Sequence, residues 1–168
     1  VTPPRWPHQE AELARFDEPG RALLWQMRTG KSRAIVETSL ELERRRGLAA
    51  VLLVAPNGVH ANWTEVEVPR WAGERAAVTW DTSGAAERWD QWTSALRAAP
   101  RGRAVWLAIP THTVARPECR HLVKLALRRG PVMLVVDESD DYGRPGARRT
   151  KFVRAVARRC AWRRMLSG

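Results

Sequence analysis

Pro131-Val132-Met133-Leu134-Val135-Val136-Asp137-Glu138-Ser139-Asp140 is an apolar run that ends abruptly in adjacent carboxylates. The run shows no polar alternation, so it reads as a strand buried on both faces, the kind found in parallel sheets covered by helices. In such sheets ligands bind beyond the carboxyl ends of the strands, where Asp137 and Glu138 would stand. An aspartate there can hold Mg²⁺, and a neighbouring glutamate can orient and deprotonate an attacking water. The same residues also suit a plain polar strand end opening a loop. The rest of the chain has to decide between them.

Outward from this stretch, short apolar runs alternate with longer amphipathic ones, the pattern of an α/β domain. Strands are expected at 22–25, 50–55, 76–80, 104–109, 131–136 and 163–166, and helices at 7–16, 31–46, 59–71, 85–98, 118–129 and 150–159. In the helix from Lys31, Ile35, Val36, Ser39, Leu40 and Leu42 fall close to one face, with Glu41, Arg44, Arg45 and Arg46 mostly opposite. Glu18-Pro19-Gly20, Pro56-Asn57-Gly58, Ala99-Pro100-Arg101-Gly102 and Gly130-Pro131 punctuate the joints. Residues 140–149 lack periodicity and read as an exposed loop. The chain of 168 residues, without repeat or linker, is expected to form a single domain over 1–168.

Upstream lies a second chemical signal, Trp25-Gln26-Met27-Arg28-Thr29-Gly30-Lys31-Ser32, where a strand turns into a helix. That arrangement aims backbone N–H groups and the positive end of a helix at a phosphate. Gly30 lets the backbone approach the phosphates, Lys31 reaches their oxygens and Ser32 supplies a hydroxyl to Mg²⁺. The first glycine of the usual phosphate loop would fall at Trp25. A Gly-Lys-Ser alone is often no more than a helix cap; its place ahead of Asp137-Glu138 makes the pair far more specific.

Together these stretches resemble the superfamily 2 helicases of the Swi/Snf type. Asp137-Glu138-Ser139-Asp140 is similar to their Asp-Glu-x-His/Asp box. Residues 25–32 are similar to their motif I, which often lacks the first glycine. Arg5-Trp6-Pro7-His8-Gln9 resembles the segment upstream of motif I. Val54-Ala55-Pro56 with Asn62-Trp63, Glu67 and Trp71 resembles the motif Ia region, and Met165-Leu166-Ser167-Gly168 the opening of motif III. The departures are His8 for tyrosine, Arg28 for glycine and Asp140 for histidine.

The resemblance implies a RecA-like P-loop NTPase domain, a parallel sheet of about six or seven strands with helices on both faces. It implies ATP and Mg²⁺ as cofactors, with Gln9 reading adenine and Met27, Arg28, Thr29, Gly30, Lys31 and Ser32 forming the cradle. Ser32 and Asp137 would hold the metal, with Lys31, Asp137 and Glu138 the catalytic set. Asn57, Gly58, Thr111 and His112 would meet a nucleic-acid backbone, double-stranded DNA first. The expected activity is ATP hydrolysis coupled to movement along DNA. It would be weak in this chain alone, because these enzymes place the arginine finger on a second RecA-like domain, here expected from a longer protein or a partner chain.

Composition agrees with a nucleic-acid partner without proving one. The net charge is +11, nearly all of it arginine, since the only lysines are Lys31, Lys124 and Lys151. Arginines spread over a solvated surface would give the same total. No apolar run approaches the roughly 20 residues of a membrane helix, so no membrane partner is expected and a cytoplasmic setting, nucleoid or nucleus included, is. Cys119 and Cys160 read as reduced thiols, and His60, His112 and His121 show no metal spacing. Trp63, Trp71, Trp89, Trp92 and Trp106 read as core, leaving Trp6 and Trp25 beside the phosphate loop. Two other classes remain open: a different P-loop NTPase or kinase, and a non-motor adaptor for nucleic acid or protein that keeps the fold.

Overall fold

The computed structural model describes residues 3–80, 85–142 and 144–168, with the side chains of residues 85–88 and 141 left out. Its strands are β1 (Gly20–Leu24), β2 (Ala50–Ala55), β3 (Ala77–Thr79), β4 (Val105–Pro110), β5 (Val132–Val136) and β6 (Trp162–Ser167). All pair in parallel, in the order β1-β6-β5-β2-β4-β3. Every residue of β2, β4 and β5 is buried, which is why these strands are continuous apolar runs in the sequence.

The helices are α1 (Pro7–Ala14), α2 (Lys31–Arg46), α3 (Val59–Asn62), α4 (Val68–Ala72), α5 (Ala85–Ala98), α6 (Pro117–Arg129) and α7 (Arg148–Ala157). They cover both faces. Val51, Leu53, Trp106, Met133, Val135 and Leu166 pack with Ile35 and Leu42 of α2 and with Trp63 and Val68. Alternate residues of the same strands, Leu52, Val54, Leu107, Leu134 and Val136, pack with Trp92, Leu122, Val153 and Val156 of α5, α6 and α7. This is the expected α/β architecture, with six strands among the described residues.

Several boundaries move for physical reasons. The expected helix 59–71 is α3, one wide π turn over Trp63–Glu67, then α4. Pro69 has no N–H to donate, and in α geometry its ring would clash with the carbonyl of Glu65; the wide turn makes room. α6 begins one residue early because Pro117 suits the first turn. α7 starts at Arg148, and Ser139–Tyr142 forms a 3₁₀ turn, so the expected loop 140–149 is shorter; its Gly143 lies outside the described residues. β1 starts at Gly20 and ends before Trp25, and β6 spans Trp162–Ser167. α1 stops at Ala14, so Phe16 lies beyond it, while β3, α5 and β4 fall within a residue of expectation.

α1 is tied to the sheet by charge. Arg164, in the middle of β6 and wholly buried, lies 3.4 Å from the equally buried Glu12 of α1. That contact is an ion pair without a hydrogen bond; the guanidinium donates instead to Phe16 O (2.7 Å) and Glu18 O (2.9 Å), and Arg21 pairs with the other oxygen of Glu12 at 2.7 Å. Burial holds the Arg164 guanidinium below its ordinary pKa, against the pull of Glu12. These bonds set the position of the helix that carries His8 and Gln9.

Candidate functional site

Between β1 and α2 the chain makes a tight turn with two left-handed residues, Arg28 (φ 62°) and Gly30 (φ 79°). At Gly30 the φ strains any other residue, and a Cβ would meet Gln9 Nε2 at 2.2 Å, so the Gln9 amide would have to shift as well. The Lys31 ammonium folds back into the turn and donates to Trp25 O (2.6 Å) and Gln26 O (3.4 Å), while Thr29 Oγ1 donates to Gln26 O (2.7 Å). Trp25, the position of the missing glycine, does not have a positive φ, so no glycine is required there. Its indole meets the His8 ring edge to face, with centroids 4.6 Å apart.

α1 braces this turn from outside. His8 Nε2 lies 2.9 Å from Thr29 O, a carbonyl that can only accept, so the ring donates through Nε2. Gln9 is buried; its amide donates to Gly30 O (3.3 Å) and its Oε1 accepts from the Trp6 N–H (3.0 Å). For Gln9 to read adenine, it would have to exchange those bonds. Met27 and Arg28 are exposed, and Thr29, Gly30, Lys31 and Ser32 half-exposed.

Three strand ends converge here. β6 lies between β1 and β5 and ends at Ser167-Gly168. A Cβ on Gly168 would meet Trp25 O at 1.9 Å and Lys31 Nζ at 2.6 Å, so the end of β6 sits directly against the turn. Ser167 Oγ donates to Asp140 Oδ2 at 2.7 Å, joining β6 to the acidic segment after β5. There Glu138 is left-handed (φ 52°) and its side chain is exposed, whereas Asp137 is half-buried and held on both oxygens. Asp137 Oδ1 accepts the Glu138 N–H (3.1 Å) and Oδ2 accepts Trp63 Nε1 (2.9 Å).

Trp63 is the functional neighbour that the sequence reading misses. It reads as core, and it is core: buried, with its ring stacked on Trp106 at 6.0 Å. Its N–H nonetheless fixes the aspartate from 74 residues away in sequence. No local pattern signals this bond: Trp80 and Trp92 are buried as well, yet their N–H groups have no acceptor among the described residues. Trp63→Phe keeps the stack and removes the donor. We expect it to destabilise the protein by about 1.5–3 kcal/mol, the range for a hydrogen bond to a charged group, measured by urea unfolding.

Residues at the ends of β2 and β4, which pair Ala55 with Pro110, form a separate cleft of about 690 Å³. Asn57, Gly58 and His112 line it, with Thr64 and Glu65 from the wide helical turn. Asn57, Gly58 and His112 are exposed, and Gly58 is left-handed (φ 83°) where α3 begins. Thr111 is set back: it is buried, and its hydroxyl has no hydrogen-bond partner among the described residues. The expected nucleic-acid residues thus fall together, with Thr111 behind the surface. Burial pushes the Cys119 thiol up to about 12 and the Cys160 thiol to about 11, so neither is a nucleophile near neutral pH.

No protein-family model and no curated protein matches the sequence significantly. Solved structures do match the fold. The SWI2/SNF2 ATPase core of Sulfolobus solfataricus in complex with double-stranded DNA superimposes with a TM-score of 0.70 and 16% identity, over 100% of this chain and 32% of that one. A nuclease-deletion mutant of the Type ISP restriction–modification enzyme LlaGI, in complex with a DNA substrate mimic, gives 0.63 and 13%, over 95% and 16%. At these identities the likeness is one of fold, that of a RecA-like α/β domain with an all-parallel sheet. The chain spans about a third of the first protein and less of the second.

Proposed function

We propose that this chain is the ATP-binding lobe of a Swi/Snf-like, ATP-dependent DNA translocase or helicase of superfamily 2. The observation that carries the reading is the convergence of the turn after β1, the acidic segment after β5 and the end of β6, through Lys31, Gly168, Ser167 and Asp140. The residues suit a nucleotide and its metal. The Lys31 ammonium is held only by backbone carbonyls, which an anionic phosphate can displace, and the Ser32 hydroxyl has no side-chain hydrogen bond among the described residues. Mg²⁺ held by Ser32 and Asp137 would neutralise phosphate charge. Lys31 binds the phosphates, with the N–H groups at the start of α2. Trp63 keeps Asp137 in one orientation. Glu138, turned outward by its left-handed backbone, takes the proton of the water that attacks the terminal phosphorus; the bond to ADP breaks as the new P–O bond forms.

Asn57, Gly58 and His112 suit the phosphate backbone of DNA, giving contact without base readout. A second RecA-like domain, in a longer protein or on a partner chain, would complete the site with an arginine; such a residue is worth roughly 10³–10⁵ in rate. The first test is titration of a fluorescent ATP analogue with Mg²⁺ into the protein and its Lys31→Ala variant. Losing charge-assisted bonds worth about 1.5–3 kcal/mol should weaken binding by roughly 10- to 150-fold. Binding that ignores Lys31 would overturn the reading.

A further inference from the structure

The amino edge of the sheet, opposite the ends where the nucleotide and DNA residues gather, carries a cavity of about 660 Å³. Arg97 from the end of α5, Arg101 and Arg103 from the following loop and Arg128 from the end of α6 line it. All four are exposed, and none has an ion-pair partner among the described residues. Arginines near a helix end often only complement the helix dipole. Here the adjacent end of α2 provides a contrast: Arg44 and Arg45 are paired with Glu41, and Arg46 with Asp17. Among the described residues no carboxylate lines the cavity.

The wall is also built rather than incidental. Arg129 donates to the carbonyls of Leu96, Ala99 (2.8 Å) and Pro100 (3.1 Å), pinning the loop after α5 to the end of α6. From the cavity the charge continues along α6, where Arg120, Lys124 and Arg128 stand on one exposed face at intervals of four residues. Each interval is about 6 Å along the helix axis, close to two steps of about 3.4 Å along a nucleic-acid strand.

We propose that this surface is a second nucleic-acid site, in which arginine forks of the cavity and the basic row of α6 grip the phosphodiester backbone without reading bases. Arginine presents paired donors to phosphate oxygens, and a regular row suits a polymer whose charge repeats regularly. Strands of this length separate the two edges of the sheet by roughly 20 Å, so the surface is distinct from the cleft of Asn57 and His112. The proposal does not rest on the reading of Lys31, Asp137 and Glu138.

The test is fluorescence anisotropy of labelled DNA, single-stranded and duplex, between about 50 and 200 mM salt. The variants are Arg97→Gln/Arg101→Gln/Arg103→Gln/Arg128→Gln and, as a milder one, Arg128→Glu. Each lost phosphate contact flattens the plot of log K against log salt by about 0.7–0.9, so the quadruple variant should lose roughly 3 from the slope and bind at least tenfold more weakly at low salt. Arg128→Glu should lose about 1. Both should melt within a few degrees of the parent and bind the ATP analogue as the parent does. Parental affinity and slope in both variants would overturn the proposal. So would tighter binding of polyglutamate than of DNA to the parent, at equal charge and salt, which would point to an acidic protein instead.

Discussion

Arg164→Met should lower the stability of the protein by about 3–5 kcal/mol, the usual cost of removing one partner of a buried ion pair. Both Arg164 and Glu12 are essentially inaccessible to water, so the carboxylate left behind cannot recover its hydration. Arg21 would still reach Glu12, which keeps the loss towards the lower end of the range. The carbonyls of Phe16 and Glu18 would also lose a charged donor. In a domain of this size the thermal midpoint should fall by roughly 10 °C. Glu12→Gln/Arg164→Met should regain part of that loss, because an amide costs less to bury than an unpaired charge. Urea unfolding of both variants measures it; a parental midpoint for Arg164→Met would mean that the pair contributes nothing net.

The second large effect is chemical and rests on the proposed function. Glu138→Gln should reduce ATP hydrolysis by about 10²–10⁴-fold, the range for removing a general base, and should leave binding of the ATP analogue within a factor of a few. The side chain is exposed and makes no bond that holds the fold among the described residues, so the variant should melt like the parent. Single-turnover assays with radiolabelled ATP, with and without DNA, separate the two steps. An equal loss of binding and turnover would place Glu138 among the binding residues and leave the proton acceptor to be found elsewhere. Hydrolysis at the parental rate would remove it from the mechanism.

Much of the architecture was legible because the central strands are apolar throughout: β2, β4 and β5 lie within a residue or so of expectation. The turn at residues 25–32 was legible because Gly-Lys-Ser sits between a strand and a helix. What stayed hidden was long-range. A charged residue inside a strand argues against burial, and only Glu12 and the carbonyls of Phe16 and Glu18, far away in sequence, make Arg164 tolerable. Trp63 belongs to a helix pattern that predicts core, and nothing local shows that its N–H would face an aspartate. The wide turn at Trp63–Glu67 follows from Pro69, whose effect on the preceding turn hydrophobic periodicity does not register. Gln9 lies against the turn at residues 25–32, and its buried amide and its bond to Gly30 O depend on the docking of α1, which no local pattern registers.

Among the described non-glycine residues, only Arg28 and Glu138 have a left-handed backbone, and both stand at the proposed nucleotide site. Such a conformation costs an ordinary residue about 1–2 kcal/mol, and glycine escapes it. Every arginine codon that begins CG or AG with a purine, and every glutamate codon, lies one base from a glycine codon, so relief is always a single mutation away. A population selected for heat resistance alone would find its shortest route through these two positions. At residue 28 it would reach the glycine that the resembled motif I carries, but at residue 138 it would gain durability by stripping the proposed base from the site. Durability and turnover therefore compete at the Glu138 codon.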